Sequence, residues 1–262
     1  MDSYHNHTDF SDGRGTVAKM AAAAEQAGLG EFGISDHLVL HPEGRTFRWS
    51  MRLERLEEYA AEVRRAARTA RMPVRLGVEA DFFPETAAKT RRLLARQDLD
   101  FIIGSVHFAA DFSIDENPRS WERLTAPQRQ AKWTLYWGLV AQLAASRVFD
   151  IVGHLDLPKK FGCSMAAETP EAALAALDAI AEAGMAVELN TSGWRQPCRE
   201  AYPSPALLRE ARRRGIPILI SADAHAPADV ARSFPEALLL AREAGYTQTA
   251  RYAARRRSFV PL

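Results

Sequence analysis

Seven times along the 262 residues, an apolar run of strand length gives way to an Ala-, Leu- and Arg-rich stretch of helical period. Each such pair reads as a strand followed by a helix that carries the chain back, so that the next strand starts from the same edge and lies parallel. The strand runs fall at 3–7, 31–36, 74–81, 100–106, 150–154, 185–190 and 216–222. The helical stretches fall near 17–27, 51–70, 86–97, 127–146, 170–183, 204–214 and 233–244. Helix ends carry matching punctuation: Thr16 can cap the first, and Gly28, Gly184, Gly215 and Gly245 stand where helices should stop. No Ser/Gly-rich tract, Pro-rich spacer or long like-charge run divides the sequence, which predicts one domain over 1–262.

With 34 Lys and Arg against 33 Asp and Glu the formal charge is +1, so no electrostatic drive toward nucleic acid is expected. Arg64-Arg65, Arg212-Arg213-Arg214 and Arg255-Arg256-Arg257 read as solvated helix faces. No stretch of 18 apolar residues is present to span a membrane, and the N-terminus has no apolar leader pattern. Cys163 and Cys198 fit neither a metal clip nor a disulfide framework and read as reduced thiols of a cytoplasmic protein. Residues 28–33, G-L-G-E-F-G, formally match a dinucleotide fingerprint. They follow a helix and lead into a strand, however, which is the reverse of what binding a pyrophosphate at a helix N-terminus requires.

Polar residues fall at one end of the strands. His5 and His7 end the first, two residues apart and hence on one face of an extended segment. Asp36-His37 end the second, Glu79 and Asp81 the third, His107 the fourth, His154 the fifth, Asn190 the sixth, and Asp223 with His225 the seventh. Six of the seven histidines therefore sit at strand ends that converge on one face of a parallel barrel. Any one of them could be a satisfied polar residue. The set needs something cationic to hold it. His, Asp and Glu without Cys select ions such as Zn, Mn or Fe. His5, His7, Asp12, His37, Glu79, His107, His154, Asp223 and His225 are too many ligands for one ion, so two or three divalent metals are expected. Closely spaced ions suit the hydrolysis of phosphate esters.

The motifs H-N-H-T…S-D-G, S-D-H, G-V-E-A-D, G-S-V-H-F, F-D-I-V-G-H-L-D-L, E-L-N-T-S-G-W-R and S-A-D-A-H occur in this order. Together they resemble the polymerase and histidinol phosphatase (PHP) superfamily, and within it the monofunctional histidinol-phosphate phosphatases. The likeness extends to W-S-M-R-L-E-R-L-E-E-Y and Y-P-S-P-A-L-L-R and covers nearly the whole chain. It implies a distorted seven-stranded (β/α)7 barrel, similar to a TIM barrel, with the active site at the C-terminal strand ends. It implies one metal on His5, His7, Glu79 and Asp223, a second on Glu79, His107 and His154 with Glu79 bridging, and a third on Asp12, His37 and His225. Some superfamily members carry His where Asp12 stands, which touches the third ion alone. Asp12, His37, Glu79, Asp223 and His225 are the implied catalytic set.

The implied reaction is hydrolysis of L-histidinol phosphate, a step of histidine biosynthesis, by in-line attack of a metal-bound hydroxide without a phospho-enzyme. No activated side-chain nucleophile is evident, since there is no G-x-S-x-G elbow and neither cysteine has a motif partner. Phosphate also needs cationic donors outside the metals. Arg195 is best placed for bidentate contact, then Lys159 and Lys160. His41, in the loop after strand two, is expected on the substrate side, and Asp36, Asp81 and Asp156 each neighbour a ligand that they could orient. A phosphoesterase for nucleotides or other small phosphomonoesters is the alternative. An amidohydrolase fits less well, because no strand-end lysine is available for carbamylation.

Overall fold

The protein is described here by a computed structural model that covers residues 1–162 and 170–262; Cys163 lies outside them. In chain order its first half runs β1 (Asp2–Ser3), α1 (Val17–Gln26), β2 (Glu31–Ile34), β3 (His37–Leu38), α2 (Leu56–Thr69), β4 (Val74–Asp81), α3 (Ala87–Leu94) and β5 (Phe101–Ser105). A small hairpin, β6 (Phe108–Ala109) and β7 (Phe112–Ser113), and two helices, α4 (Pro118–Glu122) and α5 (Ala126–Ala145), lead to β8 (Ile151–Val152). Then follow α6 (Pro170–Ala183), β9 (Ala186–Asn190), α7 (Pro205–Arg213), β10 (Ile218–Ser221) and α8 (Phe234–Glu243). A second hairpin, β11 (Gln248–Ala253) and β12 (Arg256–Pro261), completes the chain.

Seven parallel strands lie in the order β1-β2-β4-β5-β8-β9-β10, with β3 pairing on the upper part of β4. The gap between β10 and β1 is bridged just beyond their ends, where the His7 N–H donates to the Ala224 carbonyl at 2.9 Å in an Asn6–Ala224 parallel bridge. The result is a nearly closed barrel of seven parallel strands with helices between them. The helices pack their apolar stripes on the outside of the sheet. In α2 the buried residues are Leu56, Tyr59, Ala60, Val63 and Ala66, the spacing of one face of a 3.6-residue helix. The first helix is capped as its sequence suggests, Thr16 Oγ1 accepting from the Lys19 N–H at 3.3 Å.

Inside the barrel, the lower half is filled by Tyr4, Phe101, Ile103, Ile151, Ala186 and Leu219, closed from below by Ala250 and Tyr252 of β11. Phe101 is admitted because its neighbour on β4 is Gly77, where a Cβ would lie 2.2 Å from the ring. The Tyr4 hydroxyl donates to Glu31 Oε2 at 2.7 Å and accepts from the Tyr252 N–H at 3.0 Å. The interior below the strand ends is thus a packed core, not a channel.

The hairpin that supplies Tyr252 corrects one expectation. Arg255-Arg256-Arg257 is not a helix face. Ala254 and Arg255 form its tight turn with φ of 47° and 61°, a left-handed pair usually built from Asn and Gly. External partners hold it: Asp100 accepts from the Ala254 and Arg255 N–H groups at 2.9 and 2.8 Å, and Arg255 Nε bonds Asp150 Oδ2 at 2.9 Å. Arg64-Arg65 and Arg212-Arg213 do lie on exposed helix faces of α2 and α7.

Candidate metal centre

The upper mouth of the barrel receives side chains from or just beyond β1, β3, β4, β5, β8 and β10, and the loop after β9 adds Ser192, Arg195 and Gln196. His5 and His7 continue the extended path of β1, and their rings lie 4.9 Å apart. His37 opens β3 directly opposite Glu79 of β4. His107 follows β5, His154 follows β8, and Asp223 and His225 follow β10, with Asp223 in the left-handed region at φ 51°. Asp12 stands on the loop after His7. That loop is folded back by Asp36, whose carboxylate accepts from the Thr8 N–H at 2.8 Å, the Thr8 hydroxyl at 2.7 Å and Ser11.

Glu79 is the hub. Its Oε2 lies 2.6 Å from His37 Nδ1, 3.1 Å from His5 Nε2 and 3.7 Å from His7 Nε2. Its Oε1 lies 2.9 Å from His154 Nε2 and 3.6 Å from His107 Nε2, and accepts from the Ser105 hydroxyl at 2.6 Å. Asp223 Oδ1 is 3.0 Å from His7 Nε2 and 3.6 Å from His5 Nε2. At the outer rim, Asp12 Oδ1 lies 3.3 Å from His225 Nε2 and 3.7 Å from His37 Nε2. Ligand atoms of His7, Asp12, His37 and His225 fall within 4.8 Å of one another. The same holds for His5, His7 and Glu79, for His5, His154 and Asp223, and for His37, Glu79 and His107. All nine residues singled out from the sequence are brought together.

The donors fit a divalent ion by what they leave undone. His5 Nε2, His7 Nδ1, Glu79 Oε2 and His154 Nδ1 are buried without an aligned hydrogen-bond partner, a costly state for a polar atom unless a further group completes it. Charges point the same way. Burial opposes ionisation of Glu79 and Asp223, but the surrounding histidines outweigh it and hold both well below the usual carboxylate range. His107, buried but facing Asp81 and Glu79, is pushed up to about 10, and His225, buried but facing Asp12 and Asp223, up to about 9. Burial, His37 and His225 take His7 down to about 3. Without an ion, protonated histidines balance the carboxylates of the cluster; none of its members is a permanent cation, and a divalent ion held there would take over that charge.

The surroundings sort the remaining expectations. Asp81 orients a ligand, its carboxylate 3.0 Å from His107 Nδ1. Asp36 and Asp156 do not. Asp36 holds the 8–11 loop, and Asp156 accepts from the Ser204 N–H at 2.9 Å and pairs with Lys159 at 3.0 Å. Lys159 is 6% exposed and bonds Ala201 O at 2.7 Å, Glu200 at 3.1 Å and Asp156. With its three hydrogens in use it does not line the mouth. His41 also misses it. The ring sits against Phe83, Phe47 and Phe108, its Nδ1 accepting from the Glu43 N–H at 3.2 Å. Lys160 and Arg195 do line the mouth, a cavity of about 290 Å³. Arg195 is 41% exposed with Asp229 at 3.6 Å, and Lys160 bonds the carbonyl and carboxylate of Asp115 at 3.0 Å each.

Three wall residues were not found from the sequence. Trp49 lies edge-on to His37 and His107 at 4.9 and 5.5 Å between ring centres. Asp115 comes from the loop after β7. Glu188, fully buried in β9, sits 2.9 Å from His5 Nδ1. A carboxylate in the middle of the otherwise apolar A-V-E-L-N run was the signal available for Glu188.

A nearly closed parallel barrel with a buried His/Asp/Glu cluster at its C-terminal mouth defines a metal-dependent hydrolase. The family described as "PHP domain" matches residues 3–192, and the chain belongs to that family. It is 40% identical to a Deinococcus radiodurans protein named "Probable histidinol-phosphatase", over 92% of each chain. It is 28% identical to the "Histidinol-phosphatase" of Bacillus subtilis, over 88% of this chain and 95% of that one. The fold matches a crystal structure of histidinol phosphate phosphatase from Lactococcus lactis, complexed with zinc, L-histidinol and phosphate. The TM-score is 0.83 at 22% identity, over 98% of each chain.

Proposed function

We propose that this protein hydrolyses L-histidinol phosphate to L-histidinol and phosphate at a centre of two or three divalent metals. The observation that carries the reading is the convergence of His5, His7, Asp12, His37, Glu79, His107, His154, Asp223 and His225 on one mouth, with buried ring nitrogens left unpaired. The similarity to named histidinol-phosphatases supplies the substrate. Zinc, manganese and iron all suit such a donor set. The whole of 1–262 acts as one phosphatase domain in the cytoplasm; among the described residues no helix is long and apolar enough to cross a membrane.

Divalent ions held by these nine residues would supply an activated water and positive charge for the phosphoryl oxygens of an in-line displacement. The chain's own residues do the rest. Glu79, reaching ring nitrogens of five histidines, ties the ligand strands into one unit. Arg195 presents a guanidinium not closed into a short ion pair, free to take two non-bridging phosphate oxygens. Lys160, steadied by Asp115, keeps one ammonium hydrogen for the same cavity. Trp49 gives the leaving group a flat apolar wall beside the metals.

The test is elemental analysis of the purified protein beside a phosphate-release panel of histidinol phosphate, nucleoside monophosphates and p-nitrophenyl phosphate. Histidinol phosphate should exceed the others in kcat/KM by at least about ten-fold, a difference of roughly 1.4 kcal/mol in transition-state binding. Preference for a nucleotide would replace this substrate with the alternative. A metal-replete protein inert toward every phosphomonoester would end the phosphatase reading.

A further inference from the structure

Glu188 is 0% exposed and pairs with no Lys or Arg among the described residues. Its two oxygens face different partners. Oε1 accepts from the His154 N–H and from Asn190 Nδ2 at 2.9 Å, and lies 3.1 Å from His5 Nδ1. Oε2 faces His5 Nδ1 alone, at 2.9 Å. The Asn190 amide is oriented by its other end, because Oδ1 accepts from the Ser192 N–H at 2.9 Å. Its NH2 therefore points at Glu188 and, at 3.3 Å, at Asp223 Oδ2.

We propose that Glu188 is a positioning residue that fixes the proton of His5 on Nδ1 and so keeps Nε2 as a free lone pair aimed at the metals. An ionised carboxylate only accepts, so the ring nitrogen beside it must be the donor. Once the ring is neutral, as metal binding requires, the opposite nitrogen carries a lone pair. It has no aligned hydrogen-bond partner and faces acceptors instead, Glu79 Oε2 at 3.1 Å and Asp223 Oδ1 at 3.6 Å. A lone pair and two carboxylate oxygens converging on one point call for a cation between them. Glu188 thereby sets the ligand state of His5 while joining β9 to the residues that follow β1 and β8. Through Asn190 it also reaches Asp223.

Glu188→Gln gives a specific outcome. The His154 N–H and the Asn190 NH2 are both donors at Oε1, so the glutamine must place its oxygen there and its NH2 where Oε2 stood. That NH2 donates to His5 Nδ1, which forces the proton of a neutral ring onto Nε2 and removes the lone pair from the metal side. The inference rests on reading the mouth as a metal centre and is independent of the substrate, since none of its readouts uses one.

The experiment is nitrogen NMR of the metal-stripped and the zinc-loaded protein with labelled imidazoles, the His5 signals identified by their loss in His5→Gln, together with chelator competition for zinc. Wild type should carry a proton on His5 Nδ1. Glu188→Gln should lack it, remain folded by circular dichroism, and bind zinc roughly 10- to 100-fold more weakly, the usual effect of removing a partner that orients a metal-ligating histidine. A Gln variant that keeps the Nδ1 proton or binds zinc as wild type does would overturn the proposal. Should the variant fail to fold, the zinc-loaded wild type decides: a His5 Nδ1 without a proton refutes the proposal, and one with a proton while Nε2 carries none sustains it.

Discussion

The two ends of the barrel treat buried carboxylates in opposite ways. At the lower end three buried or partly buried carboxylates each have an arginine. Glu31 bonds Arg75 at 3.0 and 3.1 Å, Asp2 bonds Arg251 at 2.6 and 2.9 Å, and Asp150 bonds Arg255 at 2.9 and 3.0 Å. At the upper end Glu79 and Asp223 face imidazoles, and among the described residues no arginine or lysine pairs with either. Guanidinium is always charged and closes a carboxylate permanently. Imidazole, unlike guanidinium, can give up its proton to an incoming metal ion, and so leaves the carboxylate open to one. One sheet thus carries a finished pole and an unfinished one. The same acid type serves stability below and chemistry above.

The contrast breaks most visibly at Glu79. Glu79→Gln should lower phosphate release by at least about a thousand-fold, roughly 4 kcal/mol of lost transition-state stabilisation, and should release metal while the barrel stays folded. Phosphate assays run beside elemental analysis decide it; full metal content with a wild-type rate would remove Glu79 from the centre. Chelation should abolish activity to a similar degree, with zinc, manganese or iron restoring it.

Arg195 is a smaller test, because it sits at the rim, where the proposed role is on the substrate and not on the ions. Arg195→Ala should leave metal content unchanged and reduce kcat/KM about ten- to a hundred-fold for every phosphomonoester, as expected from hydrogen bonds to a charged group worth about 1.5–3 kcal/mol. Lysine there should recover only part. A loss confined to histidinol phosphate would move Arg195 from the phosphate to the leaving group.

At the lower pole, Glu31→Gln should keep metal content and kcat within two-fold, on the order of 0.4 kcal/mol. It should lower stability at neutral pH by about 1.5–3 kcal/mol. Burial alone would raise the pKa of Glu31, but the hydrogen bonds from Arg75 and Tyr4 outweigh it and hold it below the ordinary carboxylate value. Its contribution is therefore complete above that ordinary value and fades as pH falls through the depressed one. Wild type and variant should converge toward acid in denaturation curves taken from pH 7 downward; a gap that widens there contradicts the sign. The smallest effect is expected from thiol alkylation. Cys198 is half-buried near the wall, and its modification should leave the rate largely intact at unchanged metal content.

The upper pole was legible in the sequence where the barrel was not fully so, for a physical reason. Parallel strands end in phase at the mouth, so a strand-end histidine needs no knowledge of its partners to be placed. Glu188 escaped because it lies inside a strand and its meaning comes from His5, on the far side of the sequence. His41 and Lys159 were misjudged because neighbouring a motif does not say which way a side chain turns. One entered an aromatic cluster, and the other closed an ion pair with Asp156 and Glu200. The β11–β12 hairpin was missed because its turn, Ala254-Arg255, lacks the Gly or Asn that such a turn normally announces; Asp100 and Asp150 supply from outside what the local sequence omits.

The bridge between Asn6 and Ala224 joins the two edges of the sheet just beneath the metal donors. His5 and His7 are translated more than two hundred residues before Asp223 and His225. Until those last residues are made, the chain carries only part of the donor set. A complete donor set therefore exists only once the last strand has been made and joined to the first, so that closing the barrel and assembling the site are one event.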